Sequence, residues 1–293
     1  MRILALLLFL FLAPALAQQE RENFDRLMPA MGALERGDYA QAIDSLKPLA
    51  ADGTIEAQYA LGTVLETAPP PLRDLQAAYA WYLRAGEAGH AAAQNNLGAM
   101  HYDGRGALRN FIEAARWYRL AADQGHPQAQ TNLALMYGMG LGVDQDMAEM
   151  AQLLKKAAEA GEPRAQVHLG RMYLDGEGVP QNASEALKWF RSAAAQDNDD
   201  AALFLAIMLQ KGIGGARDLE AATAWFRRAA NRGNRIAMAE LSKAYELGLG
   251  IGSDAALAQQ WRERARAVPD PASRKDTDAA RSDPRVDPRR PRP

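Results

Sequence analysis

The chain has 293 residues, with 34 Lys+Arg against 36 Asp+Glu for a formal net charge of −2, and it contains no cysteine. That balance excludes a nucleic-acid footprint, which needs a basic face. The missing thiols exclude a disulfide framework, Cys-based zinc sites and thiolate nucleophiles, so a chain of this length must close its core without staples.

The first element is an export leader. Met1-Arg2 is a short positive start, Ile3 to Leu12 is an almost unbroken apolar run, and Ala15-Leu16-Ala17 has the A-x-A form of a cleavage signal. The apolar run is too short for a span, which predicts a signal peptide over 1–17, cleaved after Ala17. No cysteine follows it to carry a lipid anchor, and no later segment approaches the roughly 20 apolar residues that cross a bilayer. The expected location is periplasmic or secreted, in a bacterium.

From 18 to 268 the chain is governed by a period of 36. Leu61, Leu97, Leu133, Leu169, Leu205 and Leu241 share one phase, each four residues after an alanine: Ala57, Ala93, Ala129, Ala165, Ala201 and Ala237. The residue after each leucine is small, from Gly62 to Ser242. Paired glycines recur at Gly104/Gly106, Gly140/Gly142, Gly176/Gly178, Gly212/Gly214 and Gly248/Gly250. Trp81, Trp117, Trp189, Trp225 and Trp261 hold one register, with Leu153 in the gap, and an alanine follows four residues after each. Six units therefore run from 57. Gly37-Asp38-Tyr39 through Gly53 has the form of the second half of an earlier unit, which places a partial unit at about 22–56.

Each unit divides into two helices. In the first, Ala, Leu and an apolar or aromatic residue at offsets zero, four and eight form one stripe, as in Ala165, Leu169 and Tyr173. In the second, Ala186, Trp189 and Ala193 form another, and each Trp is expected to wedge between adjacent units, its loss costing roughly 3–5 kcal/mol. The glycines supply positive φ between the helices. Asp74, Asn110, Asp146, Asn182, Asp218 and Asp254 stand just before the second helices. Asp and Asn interchange there, so the position needs a side-chain oxygen and not a charge, which is the requirement of a helix N-cap.

The last element, Pro269 to Pro293, has no aromatic residue and only Val286 as a large apolar one. It cannot bury enough surface to offset its ordering entropy and reads as a disordered tail. Its basic end, Arg289-Arg290-Pro291-Arg292, allows a weak contact with an anionic envelope surface.

The pattern A-Q-x-x-L-G-x-M-Y-x-D-G-x-G-V, then Asn or Asp, then A-x-x-W-[FY]-x-x-A-A-x-x-G resembles the Sel-one-like repeat, a relative of the tetratricopeptide repeat. Ala93 to Pro127 and Ala165 to Asp200 carry it best, and the resemblance covers Ala57 to about Val268. It implies an all-α fold, a right-handed α-solenoid of antiparallel helix pairs. Three places depart from the pattern: Ala68-Pro69-Pro70-Pro71 replaces a glycine turn, Leu153 replaces a Trp, and Asp197 replaces a helix-ending Gly.

Catalytic signatures fail along the whole chain: there is no H-E-x-x-H, G-x-S-x-G, S-x-x-K or G-x-x-x-x-G-K-[ST]. Gly138-Met139-Gly140-Leu141-Gly142 imitates a dinucleotide fingerprint, but no strand precedes it. His90 and His126 share a phase, yet two histidines without Cys or clustered carboxylates are a thin metal site. No enzyme activity, metal or cofactor is expected. Function then falls to the first-helix face opposite the Ala/Leu stripe, where tetratricopeptide relatives hold peptides or partner helices. The expected groove residues are Asn95, Tyr102, Thr131, Leu135, Val167, Arg171, Leu203, Ile207 and Lys243. Their apolar row suits a protein or peptide partner, as in the adaptor roles the resemblance implies. The alternative is peptidoglycan or β-lactam-type ligand binding, or weak hydrolase activity, linked to some exported relatives that are Cys-rich where this chain has no Cys.

Overall fold

The computed structural model describes residues 25–269. The leader and the tail read above lie outside the described residues, apart from Pro269. All regular structure among the described residues is helical. Helix α1 is described over 25–35, followed by α2 Tyr39–Ala51, α3 Ile55–Thr67, α4 Leu75–Glu87, α5 Ala91–Asp103, α6 Phe111–Asp123 and α7 Pro127–Met139. Then come α8 Met147–Glu159, α9 Pro163–Asp175, α10 Ala183–Ala195, α11 Asp199–Lys211, α12 Leu219–Asn231, α13 Arg235–Leu247 and α14 Ala255–Ala267. The fold is an all-α solenoid of helix pairs, with consecutive helices packed on one another from α2 to α8 and from α10 to α14.

The turns follow from the sequence pattern. Asp74, Asn110, Asp146, Asn182, Asp218 and Asp254 all cap the second helix of their unit, each side-chain oxygen accepting from backbone N–H groups of the first turn. The same residues close the loop from behind. Asn110 N–H donates to His101 O at 2.9 Å, Asp146 to Tyr137 at 3.1 Å and Asp218 to Leu209 at 3.0 Å. The proline turn of the first unit reaches the same closure, Asp74 N–H to Leu65 O at 2.9 Å, by a different backbone path.

Gly104 ends α5 in the left-handed region, at φ 74°, and its N–H returns to Met100 O. Asp197, where other units have Gly, also takes φ 66° and is held by Arg228 and by Arg232 at 2.9 Å. Asp tolerates this region better than most residues.

Ala57, Ala93, Leu61 and Leu97 are fully buried, and so are their counterparts in later units to within a few per cent. The second-helix stripe differs from expectation. In the first five units the residue following the Trp position fills the space between the two helices; in the last, Arg262 stands there and the Trp261 ring is itself buried. Tyr82, Phe190 and Phe226 are buried, as are Tyr118 and Leu154. The small residue of the first helix makes room for it: a Cβ on Gly98 would lie 2.5 Å from the Tyr118 ring. Trp117 and Trp261 are buried, whereas Trp81, Trp189 and Trp225 are half-buried. Arg84 lies over the Trp81 ring at 4.5 Å and Arg228 over Trp225 at 5.0 Å. The recurrent tryptophan is thus partly a cation–π surface.

The glutamine after the first-helix alanine rivets units together. Gln58 Nε2 donates to Ala50 O at 3.2 Å, and Gln94 and Gln130 repeat the bond to Gly86 and Ala122. By their contacts the described residues form two compact units, 25–165 and 166–269. The core of the first runs from Ala30 through Leu46, Leu61, Tyr82 and Leu97 to Trp117. That of the second runs from Val167 through Phe190, Leu205 and Phe226 to Trp261 and Ala265.

Candidate partner-binding surfaces

In the first compact unit, the outward face of the first helices carries a polar ladder. Asn95 on α5 is half-buried, and its Oδ1 accepts from Asn132 Nδ2 of α7 at 3.1 Å. Arg164, at the start of α9, reaches Asn132 Oδ1 at 3.4 Å. Tyr102 is half-buried, with its ring edge-on to Phe111 at 5.3 Å, and Leu135 is half-buried beside it. A cavity of about 310 Å³ lies between these elements, lined by Ala99, Tyr102, Asp103, Tyr118, Asn132, Leu135, Met139 and Arg164.

Thr131 does not reach this surface. It is fully buried, its hydroxyl 3.0 Å from both Pro127 O and Glu162 Oε2. Val167 of the second compact unit is likewise a core residue, at 7 % exposure. Both stand at offset two. Asn95 and Leu203 share that offset and remain half-buried, so the enclosure is local: Thr131 is held by Pro127 and Glu162, and Val167 by the core of the second unit. Asn132 stands at offset three, on the other flank. Its phase-mates Asn96 and Ala60 were the signal that could have found it.

In the second compact unit, Leu203 and Ile207 on α11 are half-buried one turn apart, packed on the edge of the core with one flank open. Arg171 is exposed. Lys243 on α13 donates to Glu240 Oε1 at 2.6 Å, and Gln210 Nε2 reaches the other oxygen at 3.2 Å. Burial works against ionisation of Glu240, but the bonds from Lys243 and Gln210 outweigh it and hold the carboxyl below the usual range. Lys243 also borders a cavity of about 580 Å³ with Arg235, Glu246, Arg262 and Arg266.

The two phase-mate histidines are caps. His90 Nδ1 accepts from Ala93 N–H at 3.2 Å and His126 Nδ1 from Ala129 N–H at 3.3 Å. Asn198 and Asn234 do the same for α11 and α13. Burial lowers both imidazoles below 6.5, and for His126 the neighbouring His90 adds to it. No cluster of three or more His, Asp or Glu among the described residues could hold a metal ion. No helix among them is long and apolar enough to cross a membrane.

A tandem array of 36-residue helix pairs with an outward first-helix face defines a repeat solenoid of the protein-interaction class. The Sel1 repeat model matches residues 55–90, 91–126, 127–162, 163–198, 199–234 and 235–267, and the chain belongs to the Sel1 repeat family. Among solved structures, a Sel1 repeat protein from Oxalobacter formigenes is 32 % identical with a TM-score of 0.71, over 82 % of this chain and 96 % of that one. A protective antigen present in uropathogenic Escherichia coli strains, displaying an SLR fold, is also 32 % identical, with a TM-score of 0.72. That match covers 76 % of this chain and 48 % of the antigen, so the chain spans about half the antigen's length. No curated protein sequence matches this chain. Sel1 repeat proteins generally mediate protein–protein interaction.

Proposed function

We propose that this protein is a non-enzymatic scaffold or adaptor of the bacterial cell envelope that holds a peptide or protein segment on the outward face of its first helices. The envelope location rests on the leader read at Met1 to Ala17. The observation that carries the binding reading is the Leu203–Ile207 row: two branched apolar side chains, half-exposed one turn apart on α11, whose Ala201, Leu205 and Met208 fill the core. Apolar surface left open in register on a rigid element is what a partner segment covers. Arg171 and Lys243 supply charge on neighbouring first helices of the same family of positions.

The test is a crosslinking pull-down from intact cells, comparing wild type with a Leu203→Glu, Ile207→Glu double variant whose helicity is verified by circular dichroism. A discrete protein captured by wild type and lost in the variant supports the scaffold. Identical capture by both, or capture of nothing, rejects it.

A further inference from the structure

Tyr82 and Tyr118 occupy the same repeat position 36 residues apart, each pressed on a glycine of its own first helix, Gly62 and Gly98. Their hydroxyls have different fates. Tyr82 donates to Glu66 Oε2 at 2.8 Å and lies 3.2 Å from Thr63 Oγ1. Glu66 Oε1 is in turn held by Arg105 Nη1 at 2.7 Å. This part of the molecule therefore contains a worked example of the tyrosine's ligand: a carboxylate shared with an arginine.

One period later Ala99 stands where Thr63 stood, and Tyr102 where Glu66 stood. The Tyr118 side chain is just as enclosed, the residue being 4 % exposed, but its hydroxyl has no hydrogen-bond partner among the described residues. It borders the cavity of about 310 Å³ in the first compact unit. Arg164 stands on the rim of that cavity, 3.4 Å from Asn132 Oδ1 and without a carboxylate partner among the described residues. Asp103, also on the rim, is already paired with Arg105 Nε at 3.0 Å. Arg105 divides its one charge between Asp103 and Glu66, so Arg164 is the cation on the rim left to meet an added carboxylate. Leu135, Met139 and Ala99 make the remaining wall apolar.

We propose that this cavity is a binding site for an acidic side chain of a partner peptide, flanked by apolar residues. The incoming carboxylate takes the place that Glu66 fills one unit earlier: Tyr118 donates its hydroxyl to it, and Arg164 supplies the charge that Arg105 supplies there. The Tyr118 hydroxyl opens on the cavity without a protein acceptor, and a charge-assisted bond to a carboxylate is among the stronger ones it could make. Leu135 and the Met139 thioether cover the flanking apolar side chains. The site deepens the scaffold reading and rests on it, since it names the chemistry of the segment bound.

The experiment uses the purified full chain with 13C-labelled methionine methyls and follows Met139. Two end-blocked peptides are titrated, acetyl-Gly-Leu-Glu-Leu-Gly-amide and its Glu→Gln counterpart, so that the only carboxylate is the side chain's. We expect a saturable shift with the first peptide and roughly tenfold weaker binding with the second. Tyr118→Phe and Arg164→Gln should each weaken the first by about the same factor. Tyr118→Phe should unfold at the wild-type temperature, because the hydroxyl it removes has no partner. Equal response to both peptides, or no saturable shift, overturns the site. Wild type that still captures its partner through Leu203 and Ile207 while ignoring the carboxylate overturns the site alone. Carboxylate selectivity without any captured partner rejects the scaffold reading and keeps the site.

Discussion

Gly142 and Gly125 both have positive φ, 69° and 82°, but they are held for different reasons. Nothing lies within 4 Å of where a Cβ would stand on Gly125, whereas on Gly142 it would come 2.1 Å from Phe111 O, at the start of α6. Gly106, Gly214 and Gly250 repeat this close approach to Leu75, Ala183 and Leu219. Gly125→Ala should thus cost only the left-handed backbone, about 1 kcal/mol. Gly142→Ala adds a backbone clash that no rotamer relieves and should cost about 2–4 kcal/mol, read by urea denaturation. Gln130 illustrates the opposite case, a group that lacks something. Gln94 Oε1 accepts from Gln124 at 2.7 Å and Gln166 Oε1 from Gln196 at 3.0 Å, but Gln130 Oε1 is buried with no partner. The residue in phase with Gln124 and Gln196 is the exposed Ala160. Ala160→Gln should supply the donor and stabilise the protein by about 1 kcal/mol, which a rise in the urea midpoint would show.

At the scale of the helix, the caps of two first helices, α5 and α7, carry a pH dependence. Asp and Asn cap α4, α6, α8, α10, α12 and α14, while α5 and α7 are capped by His90 and His126. An imidazole caps only when Nδ1 is unprotonated, since it must accept the helix N–H. Both folded-state values lie below 6.5, through burial first; Glu56 opposes the shift at His90 without reversing it. The folded protein then binds fewer protons than the unfolded chain near pH 6. The stability contributed is complete above the unfolded value and is lost as pH falls through the folded one. Thermal midpoints measured from pH 7.5 to 5 should fall, and a His90→Asn, His126→Asn variant should flatten that slope. Asparagine already serves in the same place at Asn198 and Asn234, so the variant keeps its caps. An unchanged slope would show that the two caps do not titrate with folding.

For the molecule, the pattern of neighbour-to-neighbour contacts means that stability is close to a sum of local terms. A lesion should stay local. Gly142→Ala should raise amide exchange across α6 to α8 while leaving α12 to α14 at wild-type protection, as followed by hydrogen-exchange mass spectrometry. Uniform loss of protection through all helices would contradict that picture. The same locality explains why the fold was legible in the sequence. Helix ends, caps and the Ala/Leu stripe depend on contacts within one turn or one repeat, and the unbroken 36-residue phase states them six times. The candidate surface was less legible. Asn95, Tyr102, Leu135, Arg171, Leu203, Ile207 and Lys243 stand half-buried or exposed, but Thr131 and Val167 are enclosed.

What the sequence by itself determined was the repeat: its length, its two helices, its capping oxygens, the glycine of each turn and membership of the Sel1 family. Each of these is a short-range requirement, and short-range chemistry is written in neighbouring residues. Only the tertiary structure decided which aromatic fills each unit, since Trp and the residue after it are equally apolar on paper. At Gly62, Gly98 and Gly170 the missing side chain makes room for the ring of Tyr82, Tyr118 and Phe190, the second of each pair. Tertiary structure also decided that the Tyr118 hydroxyl goes without a partner while the Tyr82 hydroxyl has Glu66. That difference depends on residues brought together from separate helices, at distances the periodicity does not encode.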